Sequence, residues 1–180
     1  MGQNEEQGVE VAAQLARLDA QHQIERQIYQ MGYHLEDGDF DAVAELLADA
    51  TFGADIIGRA TFRGRQEIRD QYERTNITYA DRGRATKEIY SNIVVDIDLA
   101  GGRARSVTSY TVAQQPPGEP FELLVAGRYE DEWSCQGGEW RWADRYIRVQ
   151  YRNNLERHMH ASEHPWTGSG RDGEGTALPS

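Results

Sequence analysis

Tyr29, Tyr33 and Glu36 recur at i, i+4 and i+7 of a helical stretch, so two phenols and a carboxylate leave one side of it together. Enclosed beside a substrate, such a line can orient a molecule and move a proton. On a wet face the same line is two tyrosines with apolar bodies at a rim, followed by a solvated acid. A second carboxyl, Glu88, shares strand parity with Tyr90, Asn92 and Val94, opposite Ile89, Ile93 and Val95. Facing Glu36 across a pocket, it would raise at least one of the two pKa values and complete an acid/base pair. Facing water beside Lys87, it is an ordinary strand acid.

Further along, Leu123, Val125, Tyr129, Asp131 and Trp133 share the apolar parity of one strand. Asp131 is thereby carried inward, where a carboxylate requires a partner. Arg145, on the following strand, is the candidate partner, as a structural ion pair or as part of a ligand site. His158, His160 and His164 do not make a metal centre, because no carboxylate framework completes a shell and His22 and His34 are remote. They read as surface histidines, and no metal is expected. A glycine-rich phosphate loop and a G-x-S-x-G elbow are both missing, so neither a nucleotide cofactor nor serine hydrolysis has support.

The elements that must position these groups are legible from periodicity. Residues 9–35 carry a helical pattern, with Ile24, Ile28, Met31 and Leu35 four, three and four apart. Gly38 ends that helix and Asp39 caps the next, whose buried stripe is Phe40, Val43, Leu46 and Leu47. A third short helix follows Gly64, with Ile68 and Tyr72 four apart. After residue 84 the period becomes that of strands. Gly101-Gly102 turns one strand into the segment 103–114, and Gln136-Gly137-Gly138 turns 121–133 into 140–151. Helices followed by an antiparallel meander make an α+β fold. Residues 1–8 are expected to be disordered, 9–160 to form one domain, and 161–180 to form a flexible tail.

Composition closes off several classes. The chain has 180 residues, with 19 basic against 30 acidic side chains and a net charge of −11. Residues 1–62 alone hold 12 acids and 3 bases. Such a surface repels a duplex or an anionic bilayer, so no nucleic-acid or membrane partner is expected. No apolar run reaches the roughly 18 residues of a membrane helix, and the N-terminus lacks the pattern of a secretory signal, so a cytoplasmic protein is expected. The one cysteine, Cys135, excludes an internal disulfide framework.

Taken in order, these segments resemble SnoaL-like proteins of the nuclear transport factor 2-like superfamily. The matching pieces are residues 28–47, with the tyrosine pair and Glu36-Asp37-Gly38-Asp39, then Gly64-Arg65-Gln66-Glu67-Ile68. After these come the strand carrying Asn92, residues 105–110, and the hairpin from Gly127-Arg128-Tyr129-Glu130-Asp131 to Trp140-Arg141-Trp142 and Arg145. The resemblance covers about residues 22–158. It implies a cone-shaped barrel, a strongly curved antiparallel sheet wrapped around about three N-terminal helices, with a pocket inside. It also implies a cofactor-independent acid/base enzyme (cyclase, isomerase or dehydratase/hydratase) acting on a small, mostly apolar polycyclic or aromatic metabolite. Glu36, Tyr33 and Glu88 would be catalytic. Tyr29, Asp55, Asn92, Tyr110, Tyr129, Asp131, Trp142 and Arg145 would bind substrate. Relatives near scytalone dehydratase carry Asp and His where this chain has Glu36 and Glu88, so the usual proton shuttle is absent. A ligand-binding module, or a structural subunit resembling the small subunit of ring-hydroxylating dioxygenases, is the alternative. The row Ile89, Ile93, Val95 and Ile97, if it faces outward, predicts a homodimer through the sheet.

Overall fold

The computed structural model describes residues 2–55 and 58–160; the tail expected at 161–180 lies outside the described residues. Helix α1 runs from Gly2 to Asp37, so it starts well before Val9 and takes in most of the stretch expected to be disordered. Its inner stripe is Ala20, Ile24, Ile28, Met31 and Leu35, all buried, whereas Val9, Val11, Leu15 and Leu18 are exposed. The first half of the helix therefore projects beyond the body. Gly38, at φ +72°, lets the chain reverse, and Asp39 caps α2 (Phe40–Leu46) by accepting from the Ala42 amide at 3.0 Å.

Two short strands, β1 (Thr51–Ala54) and β2 (Gly58–Arg63), precede α3 (Gly64–Thr75). Sequence periodicity did not disclose them, because each is short. Four long strands follow: β3 (Thr86–Asp98), β4 (Arg103–Gln114), β5 (Glu122–Gln136) and β6 (Glu139–Arg152). Six strands form one sheet in the order β2-β1-β6-β5-β4-β3, antiparallel throughout except where β1 runs parallel to β6. The result is the expected α+β cone. No helix among the described residues is long and apolar enough to cross a membrane.

The concave face divides into two regions. Toward the hairpin ends, Trp133 and Trp142 pack with ring centroids 4.2 Å apart, and with Trp140 they bury the α1 stripe and α2. Toward the other end, Tyr110, Val112 and Tyr129 make a smaller cluster, flanked by Tyr90, Val125 and Ile147. Burial of this apolar surface stabilises at about 25 cal/mol per Å², and it fixes which face of each strand is inside.

Bulges decide the site. On β3 the pairing shifts between Ser91 and Val94, with Asn92 at φ +49°. The extra residue flips the strand's parity. Glu88 and Tyr90 therefore point inward before the bulge, and Ile93, Val95 and Ile97 point inward after it. The expected outward row does not exist: of its four members only Ile89 is exposed, at 46%. That row accordingly gives no argument for a dimer. On β6 a second shift, opposite Glu132 and Trp133, lets Trp142 and Arg145 both face inward.

On β5, Gly127 lies against β6 so closely that a Cβ there would overlap the Arg148 carbonyl oxygen and press on the Tyr110 ring. Gly127→Ala should destabilise the fold by at least about 2 kcal/mol, read from urea unfolding. An unchanged midpoint would mean that the β5–β6 pairing is looser than described.

Candidate active site

Glu88 sits near the start of β3 with its side chain 1% exposed, and it lines a partly open cavity of about 150 Å³. Most of the wall is apolar or phenolic: Leu35 from α1, Phe52 from β1, Tyr72 from α3, and Tyr110, Val112, Val125, Tyr129 and Ile147 from the sheet. Tyr110 and Tyr129 stack at 4.3 Å, with Tyr90 edge-on to Tyr129 at 5.6 Å. Burial pushes the pKa of all three phenols up, so each keeps its proton.

The polar part of the wall is small. Arg84, in the loop between α3 and β3, donates from Nη1 to Glu88 Oε1 at 3.0 Å. Its Nη2 lies 2.8 Å from His158 Nε2. A guanidinium only donates, so His158 Nε2 is the acceptor. Among the described residues Glu88 Oε2 and Arg84 Nε have no hydrogen-bond partner, although both are buried. Burial raises the Glu88 pKa above its ordinary value of 4.5, against the pull of Arg84 and Arg145. The backbone supports this arrangement: the Arg84 amide donates to the Glu36 carbonyl at 3.0 Å, and the Arg84 carbonyl accepts from Gln114 Nε2 at 3.0 Å.

Deeper in the cone, beside the cavity, lies a second polar group. Arg145 and Asp131 are each 1% exposed in their side chains and stand 4.0 Å apart. The guanidinium stacks on the Tyr129 ring at 3.9 Å, and no nitrogen of Arg145 makes a hydrogen bond among the described residues. Burial pushes the Asp131 pKa up to about 6, although Arg145 opposes the rise. For Arg145, burial is the largest influence and works against the charge, but Asp131 and the surrounding groups together hold the pKa above the ordinary value.

Several residues expected in the pocket are elsewhere. Tyr29 and Tyr33 are 48% and 62% exposed, because the Ile24–Leu35 stripe, not their side of α1, faces the sheet. Glu36 turns its carboxylate away from the cavity. Its Oε2 accepts from Lys87 Nζ at 2.9 Å and its Oε1 from the Glu88 amide at 2.9 Å, tying the end of α1 to β3. Asp55 is on the outside, accepting from the Tyr146 hydroxyl at 2.9 Å and the Val149 amide at 3.1 Å. Asn92 is exposed on its bulge. Trp142, like Asp131 and Arg145, is buried below the cavity rather than on its wall. Glu88, Tyr110 and Tyr129 are the expected site residues that the fold brings together on that wall.

Sequence reading missed Arg84 and His158. Arg84 carries no local signal, since it precedes a strand and depends on tertiary partners. His158, expected on the surface, is 6% exposed, because residues 155–160 fold back over the cavity. The Ile77 amide donates to the His158 carbonyl at 3.0 Å and the His160 amide to the Thr75 carbonyl at 2.9 Å.

Since Glu36 bridges exposed Lys87 and a backbone amide, Glu36→Gln should cost no more than about 1 kcal/mol. Ligand uptake by the cavity should be unchanged, as checked by thermal melts with and without a small ketone. Loss of uptake would return Glu36 to the site.

No curated protein matches the chain. Solved structures do. A LinA-type3 hexachlorocyclohexane dehydrochlorinase from Novosphingobium barchaimii is 17% identical, with 78% of this chain and 92% of that one covered at a TM-score of 0.63. A protein assigned as a scytalone dehydratase from Novosphingobium aromaticivorans is 21% identical, with coverage of 77% and 89% and a TM-score of 0.59. A chain assigned as the β subunit of an aromatic-ring-hydroxylating dioxygenase from the same organism is 15% identical, with coverage of 80% and 97% and a TM-score of 0.61. At these identities the likeness is one of fold, and the fold hosts both enzymes and a subunit. The sequence profile of the SnoaL-like domain matches residues 16–146, and the chain belongs to that family.

Proposed function

We propose that the protein is a cofactor-independent lyase or isomerase that moves a proton on a small, mostly apolar single-ring molecule held in the cone. The observation that carries this reading is Glu88. It is a buried carboxylate with one oxygen fixed by Arg84 and the other without a partner among the described residues, on the wall of a cavity that is mostly apolar and phenolic. A carboxyl whose pKa is raised by burial accepts a proton from carbon and returns it without great cost in either direction. Glu88 is thus base and then acid, in an elimination or a proton shift. Tyr110 and Tyr129 supply a flat wall for the ring, with their hydroxyls protonated.

Size narrows the substrate. A space of about 150 Å³ suits one six-membered ring, as an enclosed apolar cavity of roughly that volume takes up benzene. A fused polycycle would have to extend out through the open side of the cavity, so the single-ring part of the expected substrate class is favoured. The dehydrochlorinase and dehydratase among the structural neighbours are consistent with elimination chemistry on this fold.

Cyclohexanone in D₂O tests the reading without knowledge of the natural substrate. The protein should catalyse loss of the proton signals beside the carbonyl, in proportion to its concentration, and Glu88→Gln should not. Cyclohexanone bound in the cavity with no exchange above buffer, and the same for other single-ring ketones, would make the site a binding module instead.

A further inference from the structure

We infer that Arg84 is the polar anchor of the ligand, its unpartnered Nε–H taking the carbonyl oxygen of a neutral ring ketone. This deepens the acid/base reading, and it rests on that reading only for the fate of the proton that Glu88 removes. The residue is 4% exposed and lines the cavity. Its guanidinium is held at both ends, by Glu88 Oε1 at 3.0 Å and by His158 Nε2 at 2.8 Å. Its backbone is pinned to Glu36 and Gln114. The side chain therefore cannot swing to find another acceptor, and its Nε–H remains unmatched among the described residues. A buried donor without an acceptor is costly, and the group that supplies one gains the difference.

The chemistry of that group follows from its neighbours. Glu88 places a carboxylate against the same guanidinium, so a second anion would be repelled, while a neutral acceptor is not. A hydroxyl would satisfy the donor equally, but it would gain nothing as a neighbouring carbon loses a proton. A carbonyl oxygen collects the charge that develops when Glu88 removes that proton. A guanidinium that cannot itself be deprotonated is suited to hold it. Donor and base are then joined through one short bond, so the oxygen and the acidic carbon are set at a fixed separation.

Cyclohexanone and methylenecyclohexane have nearly the same shape and differ in presenting O or CH₂, which isolates the anchor. The wild-type protein should bind the ketone roughly ten- to a hundredfold more tightly than the hydrocarbon, the range of a hydrogen bond to a charged group. Arg84→Met should bring the ketone down to the hydrocarbon's affinity and leave the hydrocarbon unchanged. Equal affinities in the wild type would overturn the inference, as would a preference that survives in Arg84→Met. Should that variant fail to fold, the infrared carbonyl stretch of cyclohexanone bound to the wild type decides. It should fall at or below its frequency in water, and a value like that in hexane overturns the anchor. Ketone preference without proton exchange would refute the role of Glu88 and leave Arg84 as the anchor.

Discussion

Glu88→Gln should lower turnover by roughly 10²–10⁴-fold, the range for loss of a positioned acid/base group, while ketone binding changes little. Glutamine keeps the shape, and its oxygen can still accept from Arg84 Nη1, so the wall of the cavity is preserved. Only the proton acceptor is lost. The wild-type rate should rise with pH along a limb set by Glu88, which lies above the ordinary carboxylate value of 4.5 because burial disfavours the charged form. That limb should vanish in the variant. Stability moves the other way. A carboxyl whose folded pKa exceeds its unfolded pKa binds its proton more tightly when folded, so its contribution falls as pH rises through that interval. Removing it should leave the variant at least as stable as the wild type at pH 7. A variant with full proton-exchange activity would remove Glu88 from the mechanism.

Local rules were enough for the helices and the four long strands, but not for β1 and β2 and not for the site. The α1 stripe, the Gly38–Asp39 break and the two glycine turns are written in spacings a few residues long, and they appear where they were expected. The sector of α1 that meets the sheet is narrower than the i, i+4, i+7 line suggests. Tyr29, Tyr33 and Glu36 lie just outside it, and a shift of one sector on a helix is a change from cavity to water. On β3 the strict alternation of a strand gave two incompatible faces. The bulge at Asn92 removed the conflict by letting both be inside, one on each side of the extra residue. Nothing in the composition of Tyr90-Ser91-Asn92-Ile93 demands that bulge, although asparagine tolerates the positive φ. Arg84 and His158 are 74 residues apart and meet only because the chain after β6 returns across the cavity. Such a pair has no sequence period to reveal it.

Arg145→Met should cost about 3–5 kcal/mol at pH 8, the penalty for leaving one member of a buried ion pair alone, and clearly less at pH 5. With the cation gone, Asp131 loses the larger of the two influences that hold its pKa down, Trp142 being the other, so it climbs above about 6. The folded state then demands a proton that the unfolded chain gives up near 3.8. Stability therefore falls as pH rises through that wider interval. Asp131→Asn should behave differently. The two side chains stand 4.0 Å apart without a hydrogen bond, and burial already keeps the carboxyl more neutral than in water. Asparagine resembles the protonated acid in shape and charge, and it leaves a guanidinium that still has the Tyr129 ring as a partner, so at pH 8 it should cost less than Arg145→Met. Relative to that variant, the wild type should lose stability between pH 4 and 6 and level off above. Urea unfolding of all three proteins at pH 5, 6, 7 and 8 separates the cases. If Asp131→Asn proves the costlier change, or if the Arg145→Met penalty is flat across that range, the pair is held by direct hydrogen bonding rather than by charges at 4 Å. The cone's deep end would then be a rigid strut under Tyr129 instead of a strained one.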